Sequence, residues 1–154
     1  MITIGHLLQP DHVALDLRAT TPAAAIDEVA ALVKGDPDVL DWGALLAGVQ
    51  ASAPCLPDPG GGFSLCIPHT RGDCVSAMVM CVGRSAAGIV FPGVALPVRY
   101  FFCIAVPREL AADYLRIVGL LARVYKDRAA EGELRAVATV PEFVELLSRR
   151  EAKL

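Results

Sequence analysis

Residues 98–106 read Val-Arg-Tyr-Phe-Phe-Cys-Ile-Ala-Val, and after Arg99 no charged residue interrupts the run from Tyr100 to Val106. A strand with one wet face alternates apolar and polar side chains, because successive residues point to opposite sides. This segment does not alternate, so it is expected to be a strand buried on both faces, with the rest of the chain covering it on either side.

The flanking periodicities supply that cover. From Thr21 the spacing of Ile26, Val29, Ala30 and Val33 before Gly35 predicts a helix, with Thr20 or Thr21 as cap and Pro22 in the first turn. A second helix is expected from about Asp36-Pro37, carrying Val39, Leu40, Leu45 and Leu46. Between Val49 and Gly62 the period dissolves into prolines and a Gly60-Gly61-Gly62 run, which reads as a loop. Strands follow over Phe63 to Ile67, Val75 to Val82 and Ile89 to Phe91. Helix returns at Pro107 with a stripe of Leu110, Tyr114, Leu115, Ile117, Val118, Leu121 and Ala122, and two shorter helices are expected near 130–137 and 141–150. The first residues, Gly5 to His12, read as an edge segment packing Leu7 and Leu8. The order is that of an α/β domain with α+β-like succession, one domain over residues 1–154, with no internal repeat or linker.

Composition narrows the function. With Lys+Arg at 14 against Asp+Glu at 17 and a net charge of -3, there is no one-sided field to attract a phosphate backbone, so nucleic acid is not an expected partner. Apolar residues make up 55% of the chain, yet the longest uncharged run, Trp42 to Pro57, contains Gln50, Ser52 and two prolines and falls short of the about 20 residues a spanning helix needs. Membrane insertion is not expected, and Met1 to His6 has neither a basic leader nor a long apolar segment, so the expected location is cytoplasmic. Five cysteines without a CxxC pair argue against a disulfide framework or a zinc ribbon, and most should be small buried residues.

The segment with chemistry in it is Cys66-Ile67-Pro68-His69-Thr70-Arg71-Gly72-Asp73. Pro68 fixes its own φ and pushes Ile67 toward extended geometry, so the strand should end there and hold the His69 imidazole on a stiff turn. A rigidly aimed imidazole suits proton transfer, ligation or attack on phosphorus. Thr70 and the forked guanidinium of Arg71 could bind an anion beside it, with Asp73 holding Arg71 or the second ring nitrogen. A plainly solvent-exposed histidine is the competing reading of the same string. A metal site from Cys66, His69 and Cys74 has irregular spacing and no fourth ligand, so no metal or other cofactor is expected. Cys66 and His69, three apart on an extended strand, point to opposite faces and do not make a nucleophile–base pair. His6 and His12 are expected to be structural or solvated, Met78 and Met80 to fill the core, and Trp42 to be a partly buried anchor.

Taken together, these segments resemble the fructose/mannitol-type enzyme IIA domains of the bacterial phosphotransferase system, most closely the nitrogen-regulatory branch. The resemblance is carried by the opening Leu8-Gln9-Pro10-Asp11-His12-Val13-Ala14-Leu15-Asp16-Leu17, by Ser64 to Arg71 around Ile-Pro-His, by Pro97 to Pro107, by Tyr114 to Arg123 and by Leu134 to Phe143. It implies a mixed β-sheet flanked by helices and a phosphotransferase relay in which His69 accepts a phosphoryl group from a phosphohistidine carrier protein of the HPr type, with Thr70, Arg71 and Tyr114 supporting the phosphate. In the nitrogen-regulatory branch the phosphorylated state changes which partner proteins are bound; this chain's partner is not named by its sequence. Two positions depart from the family pattern. Tyr114 stands where relatives carry a second active-site histidine, and their Arg-Glu pair after the second helix is missing, since Asp58 is the only charged residue between Asp41 and Arg71. The alternative reading is therefore a non-catalytic regulatory binding module on the same fold.

Overall fold

A computed structural model describes residues 1–57 and 64–154. In chain order the elements are a single helical turn α1 (Ile4–Leu7), strand β1 (Val13–Ala14), helices α2 (Pro22–Ala30) and α3 (Trp42–Ala51), strands β2 (Cys55–Pro57), β3 (Ser64–Cys66), β4 (His69–Arg71), β5 (Val79–Ile89) and β6 (Val98–Val106), and helices α4 (Ala111–Lys126), α5 (Arg128–Ala136) and α6 (Val140–Ala152). The strands form one mixed sheet in the order β1-β5-β6-β3-β2, with β4 following β3 along the same edge of β6. Strands β3 and β4 run parallel to β6, whereas β5 is antiparallel to it.

β6 is the buried strand expected from its run of uncharged residues: from Tyr100 to Val106 no residue is more than 2% exposed. Its alternate side chains enter two separate cores. Tyr100, Phe102, Ile104 and Val106 pack with Ile117, Leu121, Phe143 and Leu147 of α4 and α6. Phe101, Cys103 and Ala105 pack with Ile26, Val29, Leu45 and Val49 of α2 and α3. Burying one such large apolar side chain contributes about 1.5–3 kcal/mol, so the helix layers are held to the sheet mainly through this strand and β5. Arg84 of β5 adds a polar tie, donating from Nε to the Leu15 carbonyl at 3.1 Å and from Nη1 to the Leu134 and Val137 carbonyls at 3.0 and 2.7 Å. It thereby satisfies carbonyls at the C-terminal end of α5 that have no partner within that helix.

Several boundaries differ from the sequence expectation, each for a local reason. Helix α3 starts at Trp42 and not near Asp36, because the Asp36 carboxylate accepts from the Asp38 N–H at 2.8 Å and forms a turn, leaving Asp41 to cap the helix through the Ala44 N–H at 3.0 Å. Val39, assigned to that helix by its spacing, instead bridges Val75. The expected strands Val75 to Val82 and Ile89 to Phe91 are one continuous β5 from Val79 to Ile89, with a register shift against β6 near Gly88, whose φ is +78°. Part of the expected loop is strand β2: a proline is tolerated there because the strand lies at the edge of the sheet. Phe63, Asp58 and the Gly60 to Gly62 run lie outside the described residues. The N-terminal segment is a helical turn capped by Thr3 and not an extended edge, although Leu8 is buried as expected. His12 is structural: it is 4% exposed, with Nδ1 3.0 Å from the Met80 carbonyl and Nε2 3.0 Å from the Asp36 carboxylate. Trp42 is partly buried and donates to the Ala30 carbonyl at 3.0 Å, and Met78 and Met80 belong to the core. Among the described residues no helix is long and apolar enough to cross a membrane.

The fit of α2 against the sheet is testable at Gly83. A Cβ there would stand 2.5 Å from Val29 Cγ2 and 2.7 Å from Leu17 Cδ2. Gly83→Ala is expected to destabilise by about 1–3 kcal/mol through overpacking, read as a lower urea midpoint at unchanged slope.

Candidate functional site

The peptide Ile67-Pro68 lies between β3 and β4 and interrupts their run along β6 without ending it. The Pro68 carbonyl accepts from the Ile104 N–H at 2.9 Å, and pairing with β6 resumes at His69 opposite Ile104. On the other side, the Ile67 N–H donates to Pro54 and the His69 N–H to Ser52, both at 2.9 Å. The backbone is thus held extended from two sides, so His69, Thr70 and Arg71 lie on a strand where the sequence suggested a turn. The stiffness anticipated from Pro68 is present, but it comes from hydrogen bonds to two neighbouring segments.

His69 is half-buried and its ring has a defined orientation. Nδ1 lies 3.1 Å from the Ile67 carbonyl oxygen. A carbonyl only accepts, so Nδ1 carries the proton and, in the neutral ring, Nε2 holds the lone pair. Nε2 faces the Ser52 hydroxyl at 3.4 Å, a donor that satisfies it at rest. The Tyr114 ring from the first turn of α4 lies with its centroid 5.0 Å from the imidazole, tilted by 35°. Burial pushes the Tyr114 phenol above its ordinary range, so it stays an O–H donor throughout neutral pH.

These groups line a cavity of about 480 Å³ together with Gly48, Thr70, Arg71, Ala111 and Leu115. Thr70 reaches this wall because α3 passes very close: a Cβ at Gly48 would lie 2.2 Å from the Thr70 hydroxyl oxygen. The start of α4 at Ala111, with no side chain capping it, turns the positive end of a 16-residue helix toward the same space. Arg71 is exposed and takes part in none of the ion pairs among the described residues. Asp73 does not hold it. That carboxylate lies 3.4 Å from Nε of Arg108, both side chains being largely exposed, so Arg71 keeps an uncompensated charge at the cavity. The arrangement is a nucleophilic nitrogen surrounded by hydroxyls and one guanidinium, which is suited to an anionic group.

The structure brings together all four residues singled out from the sequence, His69, Thr70, Arg71 and Tyr114. It adds Ser52 and Gly48, which sequence reading missed because their segment lacks periodicity. The one available signal was the position of Ser52 at the end of a helix. Gln50, near the end of α3, does not line the cavity; its amide donates to the Ala23 carbonyl and the Asp27 carboxylate, both at 2.8 Å.

The sequence model of the phosphoenolpyruvate-dependent sugar phosphotransferase system, EIIA 2, matches residues 6–150. The chain belongs to this family. As an EIIA domain it has a structural neighbour in the nitrogen regulatory protein IIA-Ntr from Neisseria meningitidis, with a TM-score of 0.80 at 21% identity over 94% of this chain and 98% of that one. The mannitol IIA of Escherichia coli superposes with a TM-score of 0.72 at 18% identity, covering 91% and 98% of the two chains. At these identities the likeness shows the EIIA fold. A curated relative, the fructose-specific EIIA component of Haloferax volcanii, is 38% identical over 65 residues, a match that spans 42% of each protein.

The ring geometry predicts the Nδ1–H tautomer for the neutral His69 imidazole. Long-range ¹H–¹⁵N correlation spectra at alkaline pH should show a bare Nε2 and a protonated Nδ1 for this residue; the reverse pattern would mean that Nδ1 does not donate to the Ile67 carbonyl.

Proposed function

We propose that this EIIA domain is a regulatory phosphocarrier that accepts a phosphoryl group on Nε2 of His69 from a phosphohistidine carrier protein of the HPr type. The observation that supports this reading above the others is the Nδ1–H···O=C bond to Ile67, which leaves a neutral, oriented Nε2 lone pair at an open cavity. In the step, that lone pair forms the new N–P bond in line as the carrier's N–P bond breaks, and the released electron pair returns to the carrier's imidazole. The proton stays on Nδ1, where the Ile67 carbonyl stabilises the positive charge the ring acquires. The Ser52 hydroxyl then turns from Nε2 to a phosphoryl oxygen. Arg71, Thr70 and the Tyr114 O–H are the remaining donors for the charge spread over the equatorial oxygens. A nitrogen-regulatory role agrees with the likeness to the Neisseria IIA-Ntr protein, and the residues offer no contact that names a sugar.

A second reading, a binding module that has lost phosphotransfer, draws on one observation: among the described residues the cavity is lined by a single fixed cation, Arg71, with Tyr114 and Gln50 unable to supply others. Intact mass after incubation with phosphoenolpyruvate, enzyme I and the carrier separates the two. The wild type should gain one phosphoryl group and His69→Ala none, with a stability change within about 1 kcal/mol for this half-buried side chain. Labelling that persists in His69→Ala would falsify the assignment, and an unlabelled wild type beside a competent carrier would favour the binding module. Tyr114→His should raise the transfer rate by placing a chargeable ring against His69; a slower variant would show that the phenol is itself a needed donor.

A further inference from the structure

Four of the five cysteines are buried and all are free, yet two of them face each other beside the His69 strand. Cys55 of β2 is the direct partner of Cys66 in β3. In an antiparallel ladder, hydrogen-bonded and non-hydrogen-bonded pairs alternate along the strands. Continuing the same register places Ser52 opposite His69 and Pro54 opposite Ile67, and both of these pairs carry a backbone hydrogen bond of 2.9 Å. Cys55 and Cys66 are one step further and therefore form a non-hydrogen-bonded pair. Such pairs have Cα atoms about 4.5 Å apart with their side chains turned toward one another, which falls within the about 4.4–6.8 Å span that a disulfide bridges. The remaining cysteines offer no equivalent. Cys81 and Cys103 are also register partners, but both are sealed in the core at 1% and 2% exposure, out of reach of a solvent oxidant.

We propose that Cys55 and Cys66 are a redox modification site, a cross-strand dithiol that closes to a disulfide by exchange with a low-molecular-weight disulfide. The asymmetry of the pair sets the order of attack. Cys55 is partly exposed, whereas Cys66 is fully buried. Burial pushes both thiols up, the neighbouring Cys55 sulfur raises Cys66 in addition, and the Cys66 thiol donates to the Ala53 carbonyl at 3.6 Å, so the partly exposed Cys55 is the better nucleophile. The Cys55 thiolate attacks one sulfur of the oxidant, forming a mixed disulfide and expelling one small thiolate. Cys66, losing its proton to solvent, then attacks the Cys55 sulfur and expels the second. Two protein thiols give up two electrons and two protons, and one small disulfide becomes two thiols. The bond ties β2 to β3 and, through residues 52–54, stiffens the segment that presents Ser52 to His69. The chemistry does not depend on whether His69 accepts a phosphoryl group.

The sequence makes the test direct. No Lys or Arg lies between Lys34 and Arg71, so trypsin releases residues 35–71 as one peptide holding Cys55, Cys66 and no other cysteine. The folded full chain is incubated with oxidised glutathione, quenched in acid, unfolded, alkylated and digested without reduction. The expected product is this peptide lighter by the mass of two hydrogen atoms and refractory to alkylation, while the peptides holding Cys74, Cys81 and Cys103 are alkylated in full. Cys55→Ala should abolish it, and Cys66→Ala should stop at a glutathione adduct on Cys55. The inference is overturned if the wild-type peptide takes two alkyl groups under an oxidant that closes a reference surface dithiol, or if it accumulates the unresolved adduct. Because the decisive map is made on the wild type, it stands even where Cys66→Ala fails to fold.

Discussion

A strand that can expose neither face obliges the chain to build two layers of cover, and β6 imposes that condition here. Its alternate side chains feed two separate cores, one under α4 and α6 and one under α2 and α3. Its two edges are used as fully as its faces, with β5 along one and β3 followed by β4 along the other. Because β4 is anchored to β6 through the ladder from His69 opposite Ile104 to Arg71 opposite Val106, the site inherits the rigidity of the most buried segment of the protein.

The chemistry gathers where elements from different parts of the sequence meet at one edge of that sheet. β4 brings the imidazole, a hydroxyl and a guanidinium; the end of α3 brings Ser52; the start of α4 brings a phenol and the positive end of a helix. Each contributes by its position. Burial keeps the proton of Tyr114 in place, so this side chain is a fixed neutral donor.

The layers, the central strand and the paired terminal helices were legible because burial stamps a period on any segment longer than two turns. The His69 string was legible for another reason: a proline fixed beside a histidine, followed by Thr and Arg, concentrates unusual chemistry in a few residues. What was not legible depended on pairing over distance. Cys55 to Pro57, flanked by Pro54 and ending in a proline, reads as a loop until β3 is laid beside it, and Val39 follows a helical spacing but is held by Val75. Asp36 and Asp38 decided the start of α3 through a side-chain turn that competes with the helix, and no apolar period records such a bond. Asp73 was within reach of Arg71 in sequence yet turned to Arg108, a partner 35 residues away.

The absence of charge between Asp41 and Arg71, apart from Asp58, has a kinetic meaning. Among the described residues that line the cavity, Gly48 and Ser52 at the end of α3 carry no charge, while Arg71 of β4 does. A macromolecule arriving from the uncharged side finds no long-range field to draw it in, and its encounter rate there is set by diffusion and shape, nearly indifferent to ionic strength. One arriving over Arg71 is steered and is slowed by added salt. The molecule thus presents one approach that ignores ionic strength and one that responds to it, and the two meet at the same imidazole.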